Sequence, residues 1–240
     1  MNGFSSLVLA AIVLGVSGCA TSPSPDDSRN DPLESVNRLV FRSNESFDRN
    51  FARPAAVFYN DNVPEPARDG LHNVLVNLGL PTTFANDVLQ GEVTRGGETL
   101  ERFAVNSTIG VAGIIDAATK YGIPEHHSDF GETLALYGAD EGCYLMLPVL
   151  GPSTVRDLVG TAADTFLDPT AYVGFRGSVY FKFARGGAKI FDDRARNVET
   201  FDDIERSSVD MYATVRSLYL QHRRAQINRG KPDVKDLPDF

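Results

Sequence analysis

The chain lacks the twenty or so consecutive apolar residues that a helix needs to cross a ~30 Å hydrocarbon core. Its N-terminal apolar run, Leu7 to Val16, holds ten. Cysteine is scarce: Cys19 and Cys143 are the only two among 240 residues, too few for a disulfide framework. Histidine is scarce too (72, 126, 127 and 222). The adjacent pair His126-His127 cannot face one site on a helix, no third ligand stands at metal spacing, and the pair reads as loop histidines. There is no Gly-x-Ser-x-Gly elbow, no His-Glu-x-x-His and no glycine-rich phosphate loop. No catalytic residue, metal or cofactor is therefore expected. Positive charge is in deficit: the net charge is -9 and the pI about 4.9, which argues against a nucleic-acid partner and against docking on anionic headgroups by bulk charge.

Against these absences, the N-terminus is informative. The run Leu7–Val16 is followed by Ser17-Gly18-Cys19, the layout of a bacterial lipoprotein signal in which small residues precede the cut. The first six residues contain no Lys or Arg, so only the amino terminus supplies positive charge. Residues 1–18 are expected to be removed and Cys19 to carry lipid. An ordinary secretory signal with a coincidental cysteine is the alternative. Ala20 after the cysteine is similar to lipoproteins sorted to the outer membrane. Residues 19–30 form a Pro/Ser-rich tether with nothing to bury, residues 31–230 a helical domain, and residues 231–240 a polar tail. Cys143 is expected as a small apolar filler.

The domain reads as all-α, with seven or eight helices and no convincing strand. Asp31-Pro32-Leu33-Glu34 is a helix start with Asp31 as cap. Leu33, Val36, Val40, Phe47 and Phe51 follow at helical spacing, and Arg53-Pro54 should end the helix. Asn37 and Asn44 interrupt one side of it, either as polar lining of a path or as groups that cap and solvate the helix. Further helices are expected over 66–78, from Pro81 to about Gly91, over 98–106, from a cap at Ser153, over 178–205 with a break at Gly186-Gly187, and over 208–228.

Two segments carry no charge: Phe103–Ile115, 13 residues, and Gly142–Val155, 14 residues. Their lengths suit buried, re-entrant or interfacial segments, and Gly110, Gly113, Pro148 and Pro152 break regular helix within them. They read either as core or as membrane-interfacial pieces; Ile109, Gly110, Gly113, Ile114, Leu145, Leu147 and Pro148 are the residues in question.

Taken in order, Asp31-Pro32-Leu33-Glu34…Asn37-Arg38…Phe41…Asn44, Arg102-Phe103…Asn106-Ser107…Gly110…Gly113…Asp116, Asp129-Phe130-Gly131-Glu132-Thr133-Leu134 and Glu141-Gly142-Cys143-Tyr144-Leu145…Leu147-Pro148…Gly151-Pro152-Ser153-Thr154-Val155-Arg156-Asp157 resemble the MlaA (VacJ) family of outer-membrane lipoproteins. The resemblance covers about residues 31–228. It implies a ring-like, all-helical body in the inner leaflet of the outer membrane, around a polar channel that takes mislocalised phospholipid from the outer leaflet. It also implies trimeric porins and a periplasmic lipid-carrier protein as partners. Asn44, with Phe41 and Phe47, would stand where helix packing controls lipid passage. Two positions depart from the family pattern: Ser43 where a Phe is usual, and Cys143 where a Pro is usual. A lipid hydrolase and a porin-binding structural adaptor without its own lipid path are the competing readings.

Overall fold

The computed structural model describes residues 31–174 and 177–229. The expected signal, Cys19, the tether and the 231–240 tail lie outside the described residues. Helix α1 (Glu34–Phe47) runs through a π-helical turn (Asp48–Ala52) into α2 (Arg53–Asn62). There follow α3 (Glu65–Leu89), α4 (Val93–Thr108), the single turn α5 (Ala117–Lys120) and α6 (Phe130–Leu136). After a hairpin of β1 (Tyr144–Leu147) and β2 (Gly151–Thr154) come α7 (Val155–Leu167), α8 (Ser178–Arg196), α9 (Val198–Ser207) and α10 (Met211–Ile227). Helices α3 and α4 form the largest helix pair, α7 packs on α6, and α8 crosses α2 and α3.

Several expected boundaries are corrected. The helix does not end at Arg53-Pro54. The π turn lets the Arg53 amide reach Asp48 O, five residues back, and Pro54, in the first turn of α2, withholds one amide from the continuous run without ending it. Pro81 does not start a helix but lies inside the 25-residue α3. The neighbouring Leu78 carbonyl accepts from Arg185 Nη2 at 2.9 Å, a side-chain donor beside the place where the ring removes a backbone one. Gly186-Gly187 do not interrupt α8, which runs on to Arg196. Leu33, not Asp31, occupies the first cap position. Asp31 is buried instead, accepting from Asn37 Nδ2 at 2.7 Å and from the Tyr212 hydroxyl. Thr154, not Ser153, caps α7 by accepting from Asp157 N.

The hairpin is the departure from an all-helical chain. Tyr144 pairs with Thr154 and Leu147 with Gly151, across a turn in which Val149 (φ 66°) and Gly151 (φ 82°) are left-handed. The hairpin splits the second uncharged run. Tyr144 and Met146 join Tyr212 and Leu220 in the apolar cluster, with Val40 and Phe41 packed against it. Leu145 and Leu147 are half-buried, and Pro148, Val149 and Leu150 stand exposed at the turn. Cys143 is buried just before β1.

The first run ends in a loop. Val111, Ala112 and Gly113 take successive positive φ values, and the loop amides bond internally, Gly113 N to Asn106 O at 2.8 Å and Ile115 N to Gly110 O at 2.9 Å. Gly113 is required here, because a Cβ would sit 2.7 Å from Asn77 Cβ. Gly110 and Gly113 are buried, while Ile109, Val111, Ile114 and Ile115 are exposed.

Candidate functional site

The described residues bury polar groups and expose apolar ones. Asp87 and Asn86 are 0 % exposed and Arg102 is 1 %, whereas Phe58 is 68 % exposed and Phe183 79 %. Val36, Leu39, Phe47 and Phe51 on α1 and the π turn, and Phe166, Tyr172 and Val179 further on, are also exposed. A water-soluble domain does the reverse with its large apolar side chains, and an exposed apolar surface of this extent marks contact with lipid or protein.

Within lies a cavity of about 980 Å³, walled by α3, the 125–129 loop, β2, α7, the 168–171 turn, α8 and α10. Glu125, Asp129, Asp157, Asp164, Asp168, Asp192 and Asp193 face Lys182, Arg185, Lys189 and Arg223 around it. At its centre Arg223 donates to both Asp129 oxygens (2.6 and 2.7 Å), to Asp157 Oδ1 (3.0 Å) and to Glu132 Oε1 (3.3 Å). Tyr219 donates to Asp157 Oδ2 at 2.6 Å. Burial works against ionisation of Asp129 and Asp157, but the Arg223 contacts and, for Asp157, the Tyr219 hydroxyl outweigh it and hold both carboxyls below the usual range. Glu132 differs. Burial and the Asp129 charge push it up to about 7 despite Arg223. Burial also raises Asp164, which accepts from Asn86 Nδ2 at 2.7 Å and from Phe130 N at the start of α6.

A second knot joins α3, α4 and the histidine loop. Asp87 accepts from Ser128 Oγ (2.6 Å) and Thr99 Oγ1 (2.7 Å) and lies 2.9 Å from His126 Nε2. Burial opposes its charge, yet these partners keep its carboxyl below the ordinary range. His126 is thus tied to the scaffold, and both it and His127 border the cavity. His127, Asp129 and Glu132 bring three potential ligand atoms within 4.8 Å of one another, but both carboxylates are already committed to Arg223.

The path residues expected from sequence lie elsewhere. Asn37 accepts from Met146 N (2.9 Å) and donates to Tyr144 O (3.0 Å); Asn44 accepts from Val149 N and donates to Leu147 O, both at 2.9 Å. Neither lines the large cavity. Two turns apart on α1, they act as side-chain strands along the open edge of β1. Phe41 packs edge-on against Tyr212 (centroids 5.7 Å apart), and Phe47 stacks on Phe51 at the surface. Sequence reading missed Asp87, Asp129, Asp157, Asp164 and Arg223. Acids at helix starts were the available signal, since Asp129 caps α6 by accepting from Glu132 N.

An apolar exterior around a cavity rimmed by charged side chains defines a helical protein of the lipid surface, and no helix among the described residues is long and apolar enough to cross a membrane. The family model of the MlaA lipoprotein matches residues 29–226, and the chain belongs to that family. It is 36% identical over 241 residues to the intermembrane phospholipid transport system lipoprotein MlaA of Escherichia coli K12, covering 97% of this chain and 94% of the relative. The protein of the same name from Haemophilus influenzae is 33% identical, at 97% and 94% coverage. A solved structure described as the "Structural basis for maintenance of bacterial outer membrane lipid asymmetry" superposes with a TM-score of 0.75 at 34% identity, covering 83% of this chain and all of that one.

Proposed function

We propose that this chain is the outer-membrane lipoprotein of an intermembrane phospholipid transport system, drawing mislocalised phospholipid out of the outer leaflet to keep the membrane asymmetric. The observation that carries the reading is the inversion of polarity. A zwitterionic or charged headgroup cannot enter hydrocarbon unpaired without a cost of several kcal/mol. A hollow lined by Asp129, Asp157, Lys182, Arg185, Lys189 and Arg223 removes that cost, while acyl tails stay against the apolar exterior. The process needs no covalent step, so the reading assigns no catalytic residue.

In this reading the body lies in one leaflet, about 15 Å deep, on the periplasmic side. Cys19 carries the anchor, trimeric porins border the apolar face, and a periplasmic carrier protein takes the lipid. The loop at Ile109–Ile114 and the hairpin turn at Pro148 meet the bilayer. Asn37 and Asn44, with Phe41 and Phe47, act on the path indirectly, by fixing the hairpin against α1.

Two experiments test the reading. Deleting the gene should raise outer-leaflet phospholipid under chelator or detergent stress, and the intact gene should restore asymmetry; unchanged outer-leaflet phospholipid overturns it. Mass spectrometry of the mature N-terminus should find the Cys19 sulfur in a lipid thioether; that sulfur in a disulfide overturns the anchor. The adaptor reading rests on the same exposed surface. It is favoured if Val149→Asp abolishes porin association while lipid flow persists.

A further inference from the structure

Beside the large cavity lies a smaller one of about 430 Å³, within the size range of small-ligand sites, between α4, the 126–127 loop, α6 and α10. The two share His126, His127 and Gln226 as a common wall. The small cavity holds hydrogen-bond donors that the protein leaves unspent. Arg95 is half-buried, and among the described residues its guanidinium has no carboxylate partner, only the His127 carbonyl at 3.4 Å. His222 has no partner among the described residues. Gln226 spends its carbonyl oxygen on Arg223 Nη1 (3.3 Å), which leaves its amide N–H groups to the cavity. Glu132, the one carboxyl among the lining residues, is pushed up to about 7 by burial and by the Asp129 charge, so its negative charge is only partly developed near neutral pH. Arg223 nearby is paired with Asp129, whereas Arg95 is not.

We propose that this cavity is a phosphate-type oxyanion site in which Arg95, His222 and Gln226 supply the donors. A planar guanidinium without a carboxylate is suited to forked recognition of phosphate oxygens. The anion has two possible sources, the phosphodiester of a lipid headgroup arriving through the shared wall or free phosphate from the aqueous side. The lipid source rests on the transport reading; the anion chemistry does not.

The mature protein in detergent micelles is titrated by calorimetry and ³¹P NMR with glycerophosphoglycerol, a soluble phosphodiester, and separately with inorganic phosphate. Binding of at least one anion is expected, weakened about tenfold or more by Arg95→Gln and by His222→Ala. The exposed Arg49→Gln should leave it unchanged. Phosphodiester binding identifies the lipid source, and binding of inorganic phosphate alone identifies the free ion. The proposal is overturned if neither anion binds, or if both pocket variants, folded by circular dichroism, bind as the parent does. Loss of lipid asymmetry control with anion binding intact separates a failure here from a failure of the transport reading, because the titration contains no transport step.

Discussion

Asn44 Oδ1 accepts from the backbone N–H of Val149 at 2.9 Å, and Val149 is a β-branched residue held at φ 66°. The left-handed region is costly for such a side chain, by roughly 1–3 kcal/mol, so the amide contact helps hold a turn that the chain alone would avoid. Asn44→Ala should lower stability by about 1–2 kcal/mol and speed amide exchange at Leu147–Gly151. Val149→Gly, which relieves the backbone, should restore part of that protection in the double variant. Hydrogen exchange by mass spectrometry reads both; equal exchange in parent and N44A would sink the argument.

Glycines on different helices should respond in opposite ways. A Cβ on Gly160 would lie 2.4 Å from Gly131 N, where α7 presses on α6, and backbone cannot yield as a side-chain tip can. Gly160→Ala is expected to prevent accumulation of folded protein. Gly79, inside α3, has nothing within 4 Å of its would-be Cβ. Gly79→Ala should stabilise by about 0.5–1 kcal/mol, measured as a rise in thermal midpoint.

Glu132 links stability to pH. Its folded carboxyl titrates near 7, above its ordinary 4.5, so the folded state binds a proton that the unfolded chain releases earlier. The contribution is fully present below about pH 4.5 and is lost as pH rises through 7. It is worth on the order of 3 kcal/mol. Glu132→Gln should flatten this part of the profile in denaturant melts at pH 5, 6, 7 and 8; an unchanged slope would remove Glu132 as its source.

Membrane affinity should not depend on Cys19 alone. Cys19→Ser should prevent lipidation and impair sorting, yet the purified domain should still bind phospholipid vesicles through its exposed apolar face. Adding Phe58→Asp and Phe183→Asp, both at highly exposed positions, should shift it to the soluble fraction in flotation. A Cys19→Ser protein that never floats would count against embedding in a leaflet.

The helices were legible where a stripe was long: the face of Met211, Val215, Leu218 and Tyr219 correctly announced α10. Boundaries failed where the helix carried a proline through, at Pro54 after the π turn and at Pro81 beside the Arg185 contact, or where the glycines at 186 and 187 were carried by the surrounding helix. The hairpin was hidden because Pro148, Gly151 and Pro152 look like breakers, and because its open edge is completed by two side chains from α1. The cavity was hidden for a deeper reason. Periodicity identifies an apolar stripe but assumes that it turns inward, and here many large apolar residues turn outward. The residues that meet at Arg223 come from positions 129, 132 and 157, whose proximity no local pattern encodes.

The π turn sets an angle as well as a bend. Each residue advances an α-helix by about 100°, and a π turn absorbs one residue more than an α turn would. Removing a single residue from Asp48–Ala52 would convert the turn to ordinary α-helix and rotate α2 by roughly a quarter circle relative to α1. Phe58, now exposed, and Ala56, now wholly buried, would both leave their present directions. The five-residue turn therefore works as a phase adjuster: it keeps the outward stripes of two successive helices facing the same medium.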